Sequence, residues 1–428
     1  MAAALLPGTV ASAANGAGEE RWHYVTPGPI TSSPTVVDGT VYVGSNAHGD
    51  GDQGVHALDA ATGEKEWGMA SAESIRSSPT VVDGIVYVGS KDHHVYALDA
   101  TSGAELWSFE TGHEVWSSPT VAGGVVFVGG MDNRVYALDG ATGEEVWSLE
   151  SDSGVRSSPV VVDETVYLGK DGSVYALEGA TGAEEWVYEA EGPVRTLTVA
   201  DGTVYAGSFD DNVYALDAVT GDEEWAFQAQ SSILTAPTVW EGTVYAGSRD
   251  NHLYAIDAAS DEQVWSFETE SRVNSAPTVA DGTLYFGGDL SVIALNAATG
   301  EERWAFDTSR PIISSPTVAD GVVYIGGGDW RLHAIEAGVE GSSEDSRAWL
   351  GTLGHPDEWA HADQTIDIDR GDAPDADDGA AGVDADGDDA DGDDADDIPG
   401  FGLGAGLAAL GGAGYLLARR FGRADEEA

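Results

Sequence analysis

Apolar residues along this chain fall in short bursts separated by polar turns. One stretch runs Ile75 to Val82, Ile85 to Gly89, His94 to Asp99 and Glu105 to Phe109, each burst rich in Val, Ile, Tyr, Phe or Trp. Bursts of this length and composition predict β-strands. Asp83-Gly84 joins the first two, as Asp38-Gly39, Asp201-Gly202, Asp281-Gly282 and Asp320-Gly321 do elsewhere. An Asp-Gly link accepts positive φ and closes an antiparallel hairpin. The second link carries Asp92, Asp132, Asp210 or Asp250, and the third a Thr-Gly pair such as Thr142-Gly143, again turn chemistry. No convincing amphipathic helix interrupts the pattern.

The whole phrase recurs. Its last burst ends on Trp67, Trp107, Trp147, Trp186, Trp225, Trp265 and Trp304, spaced 40, 40, 39, 39, 40 and 39 residues apart. A fixed period of this size marks one supersecondary unit stacked on copies of itself. Four antiparallel strands with short links make a propeller blade. The Ser/Ala-Pro-Thr phrase sets the count, at Pro34, Pro79, Pro119, Pro159, Pro237, Pro277 and Pro316, with Leu197 replacing Pro once. Eight inner strands follow, hence an all-β, eight-bladed propeller of four-stranded antiparallel blades. The eighth copy loses the pattern after Glu336, while Glu20 to Tyr24 resembles Glu302 to Phe306 and stands the same distance before its Pro. The N-terminal strand is therefore expected to complete the last blade, in preference to Arg347 to Leu350, leaving no open sheet edge at the seam.

Ala-x-Asp-x-x-Thr-Gly-x-x-x-Trp stands complete at Ala57 to Trp67, Ala137 to Trp147 and Ala215 to Trp225, with departures at Ser102, Glu178, Ser260-Asp261 and Asn296. It resembles the tryptophan-docking motif of the PQQ-like (quinoprotein dehydrogenase-like) β-propellers. The resemblance covers the repeats and implies that the Trp residues are structural, each burying its face between blades with a partner for its N–H. That group includes PQQ- and calcium-dependent dehydrogenases and ligand-free scaffolds such as the bacterial outer-membrane assembly lipoprotein. Enzymes of the group carry adjacent cysteines against the quinone and long inserted loops. This chain has no Cys and near-identical blades. The expected function is accordingly a non-catalytic binding or scaffold module needing no cofactor, with a quinone-dependent dehydrogenase as the alternative and PQQ and calcium implied by resemblance alone.

Composition adds an environment. Acidic residues number 75 against 18 basic ones, a net charge of −57, and only three of the basic residues are Lys. Setting aside the sixteen Asp of residues 362–397 still leaves 59 acidic residues, so the excess covers the folded body. Such a surface repels itself unless salt screens it, over ~3 Å at 1 M. A highly saline medium is expected, as for haloarchaeal proteins. Nucleic acid is disfavoured as a partner, because no basic stripe is available to displace its counterions.

Both ends carry export features. Residues 1–14 are apolar and close on the small residues Ala11-Ser12-Ala13, the remnant of an export signal lacking its basic front. The propeller is expected over 15–340 and an acidic, disordered stalk over 341–397. Residues 398–428 hold Pro399-Gly400-Phe401, an uncharged run to Ala418 and Arg419-Arg420. Twenty-one uncharged residues just span a ~30 Å hydrocarbon core, and the basic pair stays cytoplasmic. This order resembles the PGF-type sorting signal of archaeal surface proteins, which implies processing by an archaeosortase and a lipid anchor. A monomeric propeller outside the cytoplasmic membrane is expected.

Two candidate sites emerge. Asp50 and Asp52, in an enlarged second link, offer oxygens to a hard cation such as calcium. The more specific signal is the position two residues before Ser/Ala-Pro, which reads Thr31, Arg76, Trp116, Arg156, Val194 or Arg195, Leu234, Asn274 and Ile313 around the ring. Its neighbours repeat and it does not. Arg76, Trp116, Arg156 and Arg195 on consecutive blades are expected to line the channel mouth, offering guanidinium donors and a stacking face to a small anionic ligand or a protein. The competing expectation is that these arginines pair with Glu73 or Glu114.

Overall fold

The computed structural model describes residues 16–46, 54–288 and 290–343. It is an eight-bladed propeller, and each blade is a four-stranded antiparallel sheet. The second blade is representative: Thr80–Val82, Ile85–Gly89, His94–Asp99 and Glu105–Glu110, from the axis outward. Its inner strand is shorter than the sequence predicts. Pro79 has no N–H to give a ladder, and the Ser77 hydroxyl takes over instead, donating to the Gly89 carbonyl at 2.7 Å and accepting its N–H at 2.8 Å. Asp83 and Gly84 have φ of 50° and 74°, the twin left-handed residues of the expected hairpin turn.

Adjacent blades are latched together twice. On the outer side, each Trp N–H donates to a backbone carbonyl just beyond the third strand of the next blade. Trp67 reaches Ala100 at 2.8 Å and Trp107 reaches Gly140 at 2.9 Å. Gly103 lies so close beneath Trp67 that a Cβ would fall 2.4 Å from its ring, and its φ is +69°, so the third link, here Ser102-Gly103, needs glycine on both counts. The same carbonyls accept a second bond from the tyrosine of the second strand, as Tyr42 does to Ala100 and Tyr87 to Gly140. Near the axis, Thr35, Thr80, Thr120, Thr198, Thr238 and Thr317 each donate to the carbonyl of the next blade's Pro at 2.5–2.6 Å. The apolar core is correspondingly distributed between blades rather than gathered in one centre.

Closure follows the sequence expectation. Glu20–Val25 pairs antiparallel with Arg331–Glu336, with Trp22 opposite Ala334 as Trp304 is opposite Ala294. Trp22 donates to the Ala60 carbonyl of the first blade at 3.0 Å, and Thr317 to that of Pro34, so both latches run across the seam. Arg21 forks onto Glu336 at 2.5 and 2.8 Å. His333 is buried, with Nδ1 2.7 Å from Glu20 and Nε2 3.1 Å from Asp329. Burial alone would raise the Glu20 carboxyl, but its bonds to His333 and His23 outweigh that and hold it below its ordinary value. The rival strand at Arg347 to Leu350, the Asp50 and Asp52 pair, the export remnant and Pro399-Gly400-Phe401 lie outside the described residues. Among the described residues no helix is long and apolar enough to cross a membrane.

The two faces of the ring differ in their links. One carries the Asp-Gly and Thr-Gly turns; the other carries the segments entering each inner strand and the second links with their Asp. On this second face the link aspartates tie the entering segments down. Asp171 accepts bonds from the Ser151 hydroxyl and from the N–H groups of Asp152 and Ser153, at 2.9–3.1 Å. Burial opposes ionisation, but these donors and Lys170 prevail and pull its carboxyl to about 2. A depressed carboxylate stabilises the fold above its unfolded value, about 3.9, and loses that contribution as pH falls through the folded one. Melting temperatures of the wild type and Asp171→Asn are thus expected to differ at neutral pH and converge between pH 4 and 2. A constant gap across that window would show that the carboxylate contributes nothing.

Candidate binding site at the channel mouth

Five of the eight variable positions gather in one place, and Arg76, Trp116 and Arg156 lie outside it. Thr31, Arg195, Leu234, Asn274 and Ile313 line one central cavity of about 200 Å³, floored by Ser33, Ser158, Ala236, Ala276 and Ser315. Arg195, not Val194, faces it. The fifth blade's inner strand, Val194–Ala200, is longer than the others and carries a bulge between Val194 and Thr196; Val194 turns into the core at 4% exposure. A bulge re-aims one side chain in this way. Arg195 also borders a wider, open depression of about 680 Å³ between the fourth and fifth blades, lined further by Arg156, by Lys170 in its pair with Asp171, and by Asp152 and Glu191.

Arg76, Trp116 and Arg156 form a layered group. The two guanidinium carbons lie 4.8 and 4.6 Å from the Trp116 ring centroid. Trp116 Nε1 donates to Glu114 at 2.6 Å, and the other Glu114 oxygen meets Lys91 at 3.2 Å. Burial works against the Glu114 carboxylate, yet these two donors keep its pKa below the ordinary value. Glu114 therefore orients the indole and pairs with Lys91, not with an arginine. Among the described residues Arg76, Arg156 and Arg195 have no carboxylate within ion-pair distance, so the expected pairing with Glu73 or Glu114 is not what the structure shows.

Arg195 stacks on Phe209 with its guanidinium 4.3 Å from the ring. Burial lowers its pKa, and the nearby charges of Arg156 and Arg249 lower it further. Arg249, on the sixth blade, was not singled out from the sequence. Its Nε is buried without a partner. The signal that finds it is the same copy-to-copy variability, applied to the second link: the residue before the link Asp reads Lys91, Met131, Lys170, Phe209, Arg249 and Gly328. Two variable tiers thus face the mouth. Across blades two to six they gather Arg76, Lys91, Arg156, Lys170, Arg195 and Arg249, six of the chain's 18 basic residues.

What this surface offers is recognition: guanidinium donors, indole and phenyl faces, and aliphatic edges. Ser45 lies 3.0 Å from His56 Nε2, but both are buried at 0% and 1% exposure, out of reach of a substrate. Calcium does not fit the central cavity, whose lining contains no carboxylate. The cavity is also smaller than the ~300–1,000 Å³ typical of pockets that engulf a cofactor. Among the described residues no group of three or more His, Cys, Asp or Glu is placed to hold a metal.

A family model described as outer membrane protein assembly factor BamB matches residues 7–116, 92–199, 190–289 and 249–343, together covering the whole ring. The chain belongs to this PQQ-like repeat family. Solved structures agree on the fold. BamB from Moraxella catarrhalis superposes with a TM-score of 0.65 at 19% identity, over 74% of this chain and 99% of that one. The computationally designed Ika8 protein gives 0.65 at 20%, over 73% and 97%. Quinohemoprotein alcohol dehydrogenase from Comamonas testosteroni gives 0.64 at 18%, over 74% and 76%. None of the curated proteins matches the chain. Identities this low speak to architecture, and function has to be argued from the site.

Proposed function

We propose that the protein is an exported, membrane-anchored, non-catalytic propeller that binds an anionic ligand or partner at its basic mouth. The observation carrying this is the gathering of Arg76, Arg156 and Arg195, without carboxylate partners among the described residues, in a chain of net charge −57. Cations left unpaired amid such an excess of acid are bonding capacity held for something else. The last described residues do not cover the mouth. Asp320 N donates to the Ser342 hydroxyl at 3.3 Å, and Ser343 Oγ donates to the Val318 carbonyl at 3.1 Å. Residues 341–343 therefore lie beside an Asp-Gly turn, on the face opposite the mouth, and leave the mouth uncovered.

Protease shaving of intact cells is expected to degrade the propeller; full protection would overturn export. The alternative is a quinone-dependent dehydrogenase, favoured by the Trp116 face beside two arginines and by the fold shared with an alcohol dehydrogenase. Titrating PQQ and calcium in high salt separates the two. Saturable Trp quenching with dye-linked oxidation of an alcohol or sugar would establish the enzyme, and the expected result is no turnover.

A further inference from the structure

The mouth face is uneven in a second respect. The two variable tiers carry cations on blades two, four, five and six, whereas blades seven and eight, whose entering segments hold Arg272 and Arg310, also carry Leu290, Ile313 and Trp330, exposed at 46%, 47% and 46%. They belong to one loop cluster. Leu290 O accepts from Thr308 N at the start of the segment entering blade eight, Gly328 N donates to Pro311 O at 3.0 Å, and Ile312 bridges Gly327. Leu234 adds an aliphatic edge inside the central cavity between the two halves.

Trp330 is out of place by local rules. Its φ is 70°, in the second-link position where His93, Asn133, Asp211 and Asn251 stand at 74°, 67°, 77° and 73°. Asn and Asp tolerate this left-handed conformation, while a bulky side chain is an outlier there. Packing does not explain the exception, because the indole is half exposed. A strained, exposed aromatic beside an exposed isoleucine invites a contact from outside.

We propose that the mouth binds an extended polypeptide segment of a partner protein in which a run of acidic residues adjoins an apolar or aromatic side chain. The acids lie against Arg76, Arg156, Arg195 and Arg249, and the apolar anchor lies against Ile313 and Trp330. This rests on the mouth being an anion-binding surface and adds the class of ligand. Spread over four blades, the cations suit a multivalent chain better than one small anion. The aliphatic edges of Leu234, Leu290 and Ile313 have nothing to offer a polyphosphate or a sulfated sugar. Salt also distinguishes the halves: screening weakens the guanidinium contacts, while apolar contact persists or strengthens in salting-out ions.

The test uses the full-length protein and two fluorescent peptides, hexa-aspartate alone and hexa-aspartate followed by Leu-Phe, titrated by anisotropy from low to high salt. The Leu-Phe peptide is expected to bind at least about tenfold more tightly, with the gap widening as salt rises. Trp330→Asn, which installs the residue other blades use there, is expected to remove that gain while leaving the melting temperature equal or higher. Ile313→Asn, copying the seventh blade, is expected to remove part of it. Equal affinity of both peptides, unchanged by Trp330→Asn, would leave the anion-binding reading standing and overturn this one. Failure of both peptides to bind overturns both. Polyphosphate or heparin binding more tightly than the Leu-Phe peptide, and indifferent to Trp330→Asn, would replace the polypeptide with a non-protein polyanion.

Discussion

Deleting residues 15–26 is expected to lower the melting temperature by roughly 10 °C or more, since losing the half-buried Trp22 together with a whole paired strand costs about 3–5 kcal/mol or more, and a destabilisation of that size moves a large domain by many degrees. The deletion removes more than Trp22. It takes away the strand paired with Arg331–Glu336, the Arg21–Glu336 fork and the Glu20 contact to buried His333. It also leaves the Ala60 carbonyl short of one of its two donors and exposes the edge of a central strand. Truncation after Asp363 is the control, expected to leave melting unchanged. An N-terminal deletion that melts like the parent would mean another segment closes the ring.

Replacing Arg76 and Arg156 together by Gln is expected to weaken binding of a polycarboxylate by about 10–100-fold at moderate salt. A charge-assisted hydrogen bond contributes roughly 1.5–3 kcal/mol where water is excluded, and screening takes back part of it. Melting should scarcely change, because neither guanidinium has a carboxylate partner among the described residues whose loss would cost stability. Each does lie against the Trp116 ring, so a small change in indole fluorescence is expected on substitution. Calorimetric titration with a tricarboxylate, beside a thermal melt, reads both quantities. A destabilised double variant with unaltered binding would make these arginines structural props for Trp116.

Repetition made the architecture legible. Eight inner strands, the Asp-Gly hairpins and the closing role of Glu20 to Tyr24 follow from copies that keep the same residues because each meets the same neighbour. The Tyr bond to the Trp-accepting carbonyl was open to the same inspection, since Tyr42, Tyr87, Tyr245, Tyr285 and Tyr324 occupy matching places; what the chain cannot show is that Tyr and Trp of one blade converge on a single oxygen of the next. The grouping of Arg76, Trp116 and Arg156 was legible where copies disagree. Arg195 required the bulge, a change of one residue in register that is decided by backbone pairing. Arg249 and Trp330 escaped because their link holds ordinary turn residues in other blades, and only the folded blade brings that link beside the entering segments.

The seam between Glu20–Val25 and Arg331–Glu336 joins residues 315 apart, as in the Arg21–Glu336 pair. At synthesis rates of about 5–20 residues per second, the first strand is made roughly 15–60 s before its partner exists. During that interval every added blade stacks on the last, but the growing arc keeps two unsatisfied ends. The final strand therefore acts as a clock: a chain stalled or cut a few residues early has nearly all its blades and no ring. Such a fragment carries an exposed outer strand and an orphaned Trp22, features a quality-control protease or holdase can distinguish from the finished molecule.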